Sequence, residues 1–304
     1  MLLSISVDLD ELRHYGALHG FKADQLDGLV YTRAIPRLVD WARQRKIPLT
    51  WFVVGADLRP PGNLELVARL VAAGDELGCH SLSHRYDLTR LPVAQMRDEI
   101  EGGVVAIERC SGAKVRGFRA PGYIVTDTLL DLLREAGFSY DSSVFPCPAY
   151  YALKLAAVAA HDARGRASGA IIGDPEVLRA PTGPYRVGRP FWLRGLGILE
   201  LPIQVTRRAR LPFIGTALTM GGRRGARLLA RGVLGEPFVN LELHGIDALD
   251  DQDGLAELAK VQHDLRIPWA KKLAAIDAGV EVLLRRGYAC VTMTELAERA
   301  RTGL

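Results

Sequence analysis

Short apolar runs alternate with longer segments of helical period along most of the chain, the pattern of a parallel sheet or barrel with crossover helices. Residues 2–7 (LLSISV) and 49–54 (LTWFVV) are predicted strands from their β-branched and aromatic content, the second introduced by Pro48 and closed by Gly55. Residues 76–80 (ELGCH), 115–119 (VRGFR), 198–205 (ILELPIQV), 238–244 (FVNLELH) and 288–293 (YACVTM) share that character. Between them, residues 35–45, 63–73, 92–110 and 126–136 carry apolar positions at i, i+3, i+4 spacing and are predicted helices. Pro92 suits a helix start, and Gly74 and Gly137 suit positions just past a helix end. Residues 255–286 read as a longer helical stretch interrupted at Ile267-Pro268.

Two regions break the rhythm. Residues 9–34 form a long connection after the first strand and hold His14, Tyr15 and His19. Residues 147–235, rich in Gly, Pro and Arg, read as a large insertion. No internal repeat or low-complexity linker divides the chain, so residues 1–304 are expected to form a single domain.

Composition narrows this only a little. With 48% hydrophobic and 24% charged residues the chain can build a packed core, which sets aside a disordered class. A net charge of +4 is too mild to call for nucleic acid, and no nucleic-acid-binding motif is visible. The opening MLLSISVDLDEL has no basic or long apolar leader, and no run approaches the roughly 18 apolar residues of a membrane span; the expected location is cytoplasmic. Cys79, Cys110, Cys147 and Cys290 form no CxxC pair and are expected to be reduced structural thiols.

The chemistry gathers where predicted strands end, which in barrel-like folds is the face where loops converge. The first strand runs into Asp8-Leu9-Asp10, the third into His80-Ser81-Leu82-Ser83-His84, and a late one ends at His244. An HxxxH spacing brings two imidazoles to one side of a helical turn, and one added carboxylate completes a His₂Asp site with positions left open. Hydrolysis at such a site also needs a base for the attacking water and an acid for the leaving group.

Taken together, these residues resemble the polysaccharide deacetylase (NodB-homology) family. SVDLD is similar to the family's first motif in the variant with one residue between the aspartates. HSLSH is similar to its histidine pair, FRAPGY to its R-x-P motif and LELH to its closing L-x-L-H motif; PLTWFVVG and DELGCHS resemble the flanking strands. The resemblance covers residues 2–145 well and 236–296 more loosely.

It implies an α/β fold, a distorted (β/α)7-8 barrel with a large insertion. It also implies a metal-dependent hydrolase removing an N-acyl group, acetyl or formyl, from an amino sugar. Carried over by position, Asp10, His80 and His84 would hold a divalent metal, expected to be Zn²⁺ although Co²⁺, Ni²⁺ or Mn²⁺ suit such ligands. Asp8 would be the general base, oriented by Arg119; the Gly122 backbone N–H, shaped by Pro121, would help hold the oxyanion. His244 would protonate the departing amine. Ser81 and Ser83 are expected to serve the loop rather than act as nucleophiles.

The sequence departs from the family in two ways. The adjacent aspartates of extracellular members are spaced here, and no tryptophan-containing fourth motif is visible, so the partner tuning His244 is unassigned. Glu242, between Leu241 and Leu243, is expected to face away from the core. Asp141 either lines the site or caps a turn. His263 and Asp264 are expected to cap a helix break, and Trp51, Trp192 and Trp269 to be core or rim.

Residues 177–235 contain eleven arginines, no lysine and one acidic residue, Glu200, a net +10. Arg223, Arg227 and Arg231 share a helical face beside the apolar LPFIGTALTM, from which Phe213, Ile214 and Leu218 are candidates to enter a membrane interface. A buried subdomain with a solvated arginine face accounts for the same pattern. The combination points to a lipid-linked or nucleotide-linked sugar in cell-envelope glycan or glycolipid synthesis, with an anionic membrane surface as a candidate partner, the protein then peripheral on the membrane's inner face. Competing expectations are hydrolysis of a non-sugar amide or ureide, and a catalytically silent glycolipid-binding module.

Overall fold

The computed structural model describes residues 1–18, 27–162 and 171–302. Its centre is one curled sheet in the order β6-β7-β5-β4-β3-β2-β1-β8. Here β1 is Leu2–Asp8, β2 Leu49–Val53, β3 Glu76–Cys79, β4 Gly117–Phe118 and β5 Tyr140–Asp141. Next come β6 Tyr185–Val187, β7 Arg194–Glu200 and β8 Phe238–His244, and the last, β9 Ala289–Cys290, pairs with β1. Every pairing is parallel except β6 with β7, and the path is open from β6 to β8, so the barrel is incomplete.

β8 occupies one edge of β1 along its whole length. The other edge is shared, β9 pairing at Leu2 and Leu3 and β2 from Ile5 to Asp8. The side chains follow the two-residue period. Leu3, Ile5 and Val7 pack in the main apolar cluster, whereas Ser4, Ser6 and Asp8 point to the opposite, equally buried face. A strand in a barrel is buried on both faces, so alternation here separates apolar from polar interior rather than inside from outside.

Helices cover the apolar face. α1 (Leu12–Leu18) follows β1; α2 (Ile35–Arg45) and α3 (Pro61–Ala72) flank β2; α4 (Val93–Ser111) follows β3, and α5 (Asp127–Glu135) follows β4. α5 starts where predicted, Thr126 accepting a hydrogen bond from the Leu129 N–H as its N-cap. The remaining helices are α6 (Pro148–Asp162), α7 (Gly215–Val233), α8 (Trp269–Leu284) and α9 (Met293–Arg301).

Three parts of the sequence reading need correction. Residues 12–18, expected within a connecting loop, form α1, and His19 lies outside the described residues. Of the long stretch 255–286 only α8 is a continuous helix, because Pro268 occupies its N-cap and the chain before it runs in short 3₁₀ turns. Residues 147–235, read as an insertion, supply β6 and β7 to the common sheet and a helix, α7, that packs along α8. Phe213, Ile214 and Leu218 are buried, Ile214 in a separate cluster with Phe145, Cys147, Ile203 and Val205, and so are not free to enter a membrane.

Candidate active site

Strand register sets the site. Asp8 ends β1 level with His244 at the end of β8. Cys79 pairs with Phe118, which places the next residues, His80 and Arg119, side by side at the same end of the sheet. All of these strands run parallel, so their C-terminal ends open on one face.

His80 and His84 do not reach that face from a helical turn. They sit in a loop after β3 where Ser81 (φ 63°) and His84 (φ 55°) are left-handed, and the Ser81 hydroxyl accepts from the His84 N–H at 3.0 Å. The loop leans on α4: Leu82 N donates to Glu99 O at 2.8 Å, and Ser83 Oγ and N donate to the Glu99 carboxylate at 2.6 and 2.9 Å. Both serines are therefore loop fasteners.

The two imidazole Nε2 atoms each lie 3.2 Å from the same oxygen, Asp10 Oδ1, and all three residues are buried. His80 Nδ1 is 2.6 Å from the Arg119 carbonyl oxygen, which can only accept; the proton therefore sits on Nδ1 and the Nε2 lone pair faces Asp10. Asp10 Oδ1 and both His84 nitrogens have no hydrogen-bond partner among the described residues. Buried acceptors aimed at one point without a donor are costly, and a cation is the group that reconciles them. Two imidazoles and a carboxylate suit zinc and the neighbouring first-row divalent ions. His14, on α1, lies tilted against His84 with ring centroids 4.3 Å apart, and burial together with His84 pushes its imidazole down to about 3.

Asp8 stands beside this trio, its Oδ2 3.9 Å from His80 Nε2. Arg119 is fully buried over the ring of Phe52 and donates from Nη1 to Asp8 Oδ1 at 2.6 Å and to Ser6 Oγ at 3.0 Å. Its Nε and Nη2 are fixed by the carbonyl and hydroxyl of Ser142, both at 2.8 Å. Burial raises the Asp8 carboxyl, with Arg119 and His80 opposing, and its Oδ2 has no hydrogen-bond partner among the described residues.

The partner of His244 is Glu242. Its Oε1 lies 2.8 Å from His244 Nδ1, and the Tyr123 hydroxyl donates to the same oxygen at 3.1 Å while lying 3.0 Å from His244 Nε2. Burial would depress the His244 imidazole, but Glu242 overrides it and holds His244 well above the usual histidine range. The expectation that Glu242 faces away from the core is wrong, since Glu242 is fully buried on the polar interior face. Glu242 and His244 are two apart on one strand, so any reading that aims His244 at the site aims Glu242 there too.

Other sequence candidates fall outside the reacting centre. Asp141 braces a turn, accepting from Ser143 Oγ at 2.7 Å and sharing a buried contact with Glu200, which burial and Asp141 push well above the carboxylate range. Asp264 lies 3.4 Å from the buried Lys272 ammonium, which also donates to the carbonyls of Ile246 and Leu249 just beyond His244. Trp51 is core, its Nε1 donating to Asp75.

Asp8, Asp10, His80, Gly122 and His244 line one cavity of about 380 Å³. Gly122 takes φ 65° in the turn after Pro121, leaving its backbone against the cavity. The rest of the wall is Tyr15, Tyr86, Tyr123, Tyr150, Leu153, Lys154, Pro212, Ile214 and residues 216, 217, 220 and 262, half of it drawn from α6 and the start of α7. Tyr123 closes the FRAPGY stretch without being read as a site residue, and no sequence signal marked Lys154, because their partners are distant in the chain.

Comparison with known proteins gives the same picture. Residues 26–140 match the family model described as polysaccharide deacetylase. That stretch, a little over a third of the chain, is similar to the polysaccharide deacetylase family. The chain is 32% identical over 130 residues to a chitooligosaccharide deacetylase of Bradyrhizobium sp. (strain ANU 289), covering 42% of this chain and 58% of that protein. It is 28% identical over 148 residues to a peptidoglycan deacetylase of Helicobacter pylori, covering 47% and 50%. The chain thus spans little more than half the length of these curated relatives. A solved structure described as a polysaccharide deacetylase from Mycobacterium smegmatis superposes with a TM-score of 0.64 at 17% identity, covering 99% of this chain and 90% of that one, a likeness of fold.

Proposed function

We propose that the protein is a metal-dependent hydrolase that removes an N-acyl group from an amino sugar. One observation carries this reading: Asp10 and His80 of a buried His₂Asp trio line one cavity together with an Arg-held carboxylate and a Glu-held imidazole. Asp10, His80 and His84 would hold a divalent ion, with zinc the first candidate. Such an ion polarises a carbonyl and brings the pKa of water towards ~7.

This chain's own residues do the rest. Arg119 occupies Oδ1 of Asp8, which leaves Oδ2 to take the proton of the attacking water. The Gly122 N–H helps hold the oxygen that becomes negative in the tetrahedral state. His244, kept protonated at neutral pH by Glu242, gives its proton to the departing amine. Tyr123 keeps the imidazole and the glutamate in register.

The finer reading is that the sugar is lipid-linked or nucleotide-linked and serves cell-envelope synthesis, with an anionic membrane surface as a partner at the inner face. The mostly apolar and aromatic cavity wall, and the exposed arginines of α7 beside Met220, support it. Purified protein reconstituted with zinc, cobalt, nickel or manganese is assayed for acetate or formate release from N-acyl amino sugars, with allantoin as a non-sugar control. Release from the sugars is expected, falling on the order of 10²–10⁴-fold in Asp8→Asn while bound metal is retained. Turnover of allantoin alone would move the reading to ureide hydrolysis; loss of metal from Asp8→Asn but not Asp10→Asn would exchange the two aspartates.

A further inference from the structure

Lys154 stands on α6 in the wall of the catalytic cavity, half-buried among Tyr86, Tyr150 and Leu153. Its ammonium donates one hydrogen bond, to the Gly122 carbonyl oxygen at 3.0 Å. Among the described residues no carboxylate lies within ion-pair distance of it, whereas Asp8 and Asp10 at the cavity floor are taken up by Arg119 and the two imidazoles. An ammonium has three protons to donate, so two remain for whatever enters. A half-buried cation without a counter-ion costs free energy, and a bound anion would offset that cost.

We propose that Lys154 binds an anionic phosphate carried by the amino-sugar substrate. This rests on the deacylase reading above and deepens it. Position supports it: Gly122, whose carbonyl holds the ammonium, offers its N–H to the reacting oxygen, so Lys154 sits within one sugar's reach of the reacting carbonyl. Chemistry supports it as well. The tyrosine hydroxyls and Thr216 of this wall suit the sugar's own hydroxyls, and Lys154, 5.8 Å from the Tyr150 ring centroid, is the only lysine or arginine among its described residues. Burial pushes the ammonium down to about 8, still charged at neutral pH, and a phosphate arriving beside it would restore its basicity. Beyond Lys154, Leu153 (71% exposed) and Met220 (63% exposed) line the mouth, where an apolar chain attached through the phosphate would lie. A nucleotide attached through the same phosphate would meet those residues with less apolar surface.

The test compares wild type, Lys154→Met and Lys154→Arg, each loaded with metal. Substrates are N-acetylglucosamine 1-phosphate, a uridine-diphosphate N-acetylglucosamine, a decyl-phosphate N-acetylglucosamine and the neutral decyl N-acetylglucosaminide. Calorimetric binding of decyl phosphate, which has no amide to hydrolyse, is measured alongside. Expected is a preference of wild type for phosphate-bearing over neutral substrate in kcat/KM. Lys154→Met should shrink that preference on the order of 10–100-fold, mainly through KM, and Lys154→Arg should keep most of it. Preference for decyl-phosphate over uridine-diphosphate sugar assigns the lipid source, and the reverse assigns the nucleotide. An unchanged preference in Lys154→Met overturns the proposal, and so does loss on phosphate-bearing and neutral substrates alike, the mark of a brace on Gly122. If no sugar is deacylated but decyl phosphate binds in a Lys154-dependent way, the deacylase reading fails and the anion site stands; wild type that binds no decyl phosphate and shows no phosphate preference overturns it.

Discussion

His244 illustrates how a single side chain is set for its task. An isolated buried imidazole sheds its proton, because burial penalises the charged form. Glu242 reverses this from 2.8 Å, and Tyr123 fixes the geometry from the other side. The protonated imidazole is the active form of an acid, so activity falls as pH rises through its pKa. Glu242→Gln removes the charge that raises that pKa; the alkaline limb of the kcat/KM profile should move to lower pH while metal content holds. An unmoved limb with the same maximal rate would mean that His244 is not the acid. The residues bearing this chemistry were largely legible in the sequence, because DxD, HSxxH, R-x-P and LxLH are local motifs. Glu242 was misread since the rule that polar strand residues face water fails where both faces of a strand are buried. Tyr123 and Lys154 were missed because their contacts span 119 and 32 residues.

At the scale of elements, the histidine loop is only as well placed as the helix it rests on. α4 comes close at Gly103, where an added Cβ would lie 2.7 Å from Cys79 Sγ and 2.9 Å from the Ser81 carbonyl carbon. Gly103→Ala would force helix and loop apart, costing about 1–3 kcal/mol and displacing His80 and His84 from Asp10. Weaker zinc binding and a lower Tm are expected, whereas Gly102→Ala, which meets only the side chain of Leu82, should be milder in both. Equal zinc affinity in Gly103→Ala and wild type would show that the loop holds its shape without α4. Elements with a full amphipathic period, such as α2 and α5, are recoverable from sequence nearly to the residue. α1 is not, being seven residues long with Gly16 inside. α7 is disguised by its glycines, and Gly222 at φ 58° does kink it. β4 and β5 are two residues each, too short to carry an alternation.

Over the whole molecule, charge and apolar surface are unevenly placed. Glu200, the one acidic residue between positions 177 and 235, is buried beside Asp141, so it does not offset the arginines at the surface of that stretch. Arg223, Arg224, Arg227 and Arg231 are exposed on α7 without a carboxylate in ion-pair distance among the described residues, and Leu228 is 68% exposed between them. No helix among the described residues is long and apolar enough to cross a membrane. Such a face should associate with anionic vesicles at about 1 kcal/mol per arginine near the surface and release them in high salt. Co-sedimentation with phosphatidylglycerol vesicles should be lost when the four arginines become Gln; binding that ignores salt and those substitutions would assign the face to solvent. All of this surrounds a site whose proposed requirement is a cation held by Asp10, His80 and His84. The most direct measurement is metal stoichiometry by mass spectrometry, made together with hydrolysis rates, on chelated and zinc-titrated protein and on the His80→Ala, His84→Ala double variant. Activity should vanish with the metal and return at one equivalent in wild type, while the double variant neither binds nor recovers. A double variant that retains one equivalent, or a metal-free protein that hydrolyses as fast as the loaded one, would contradict it.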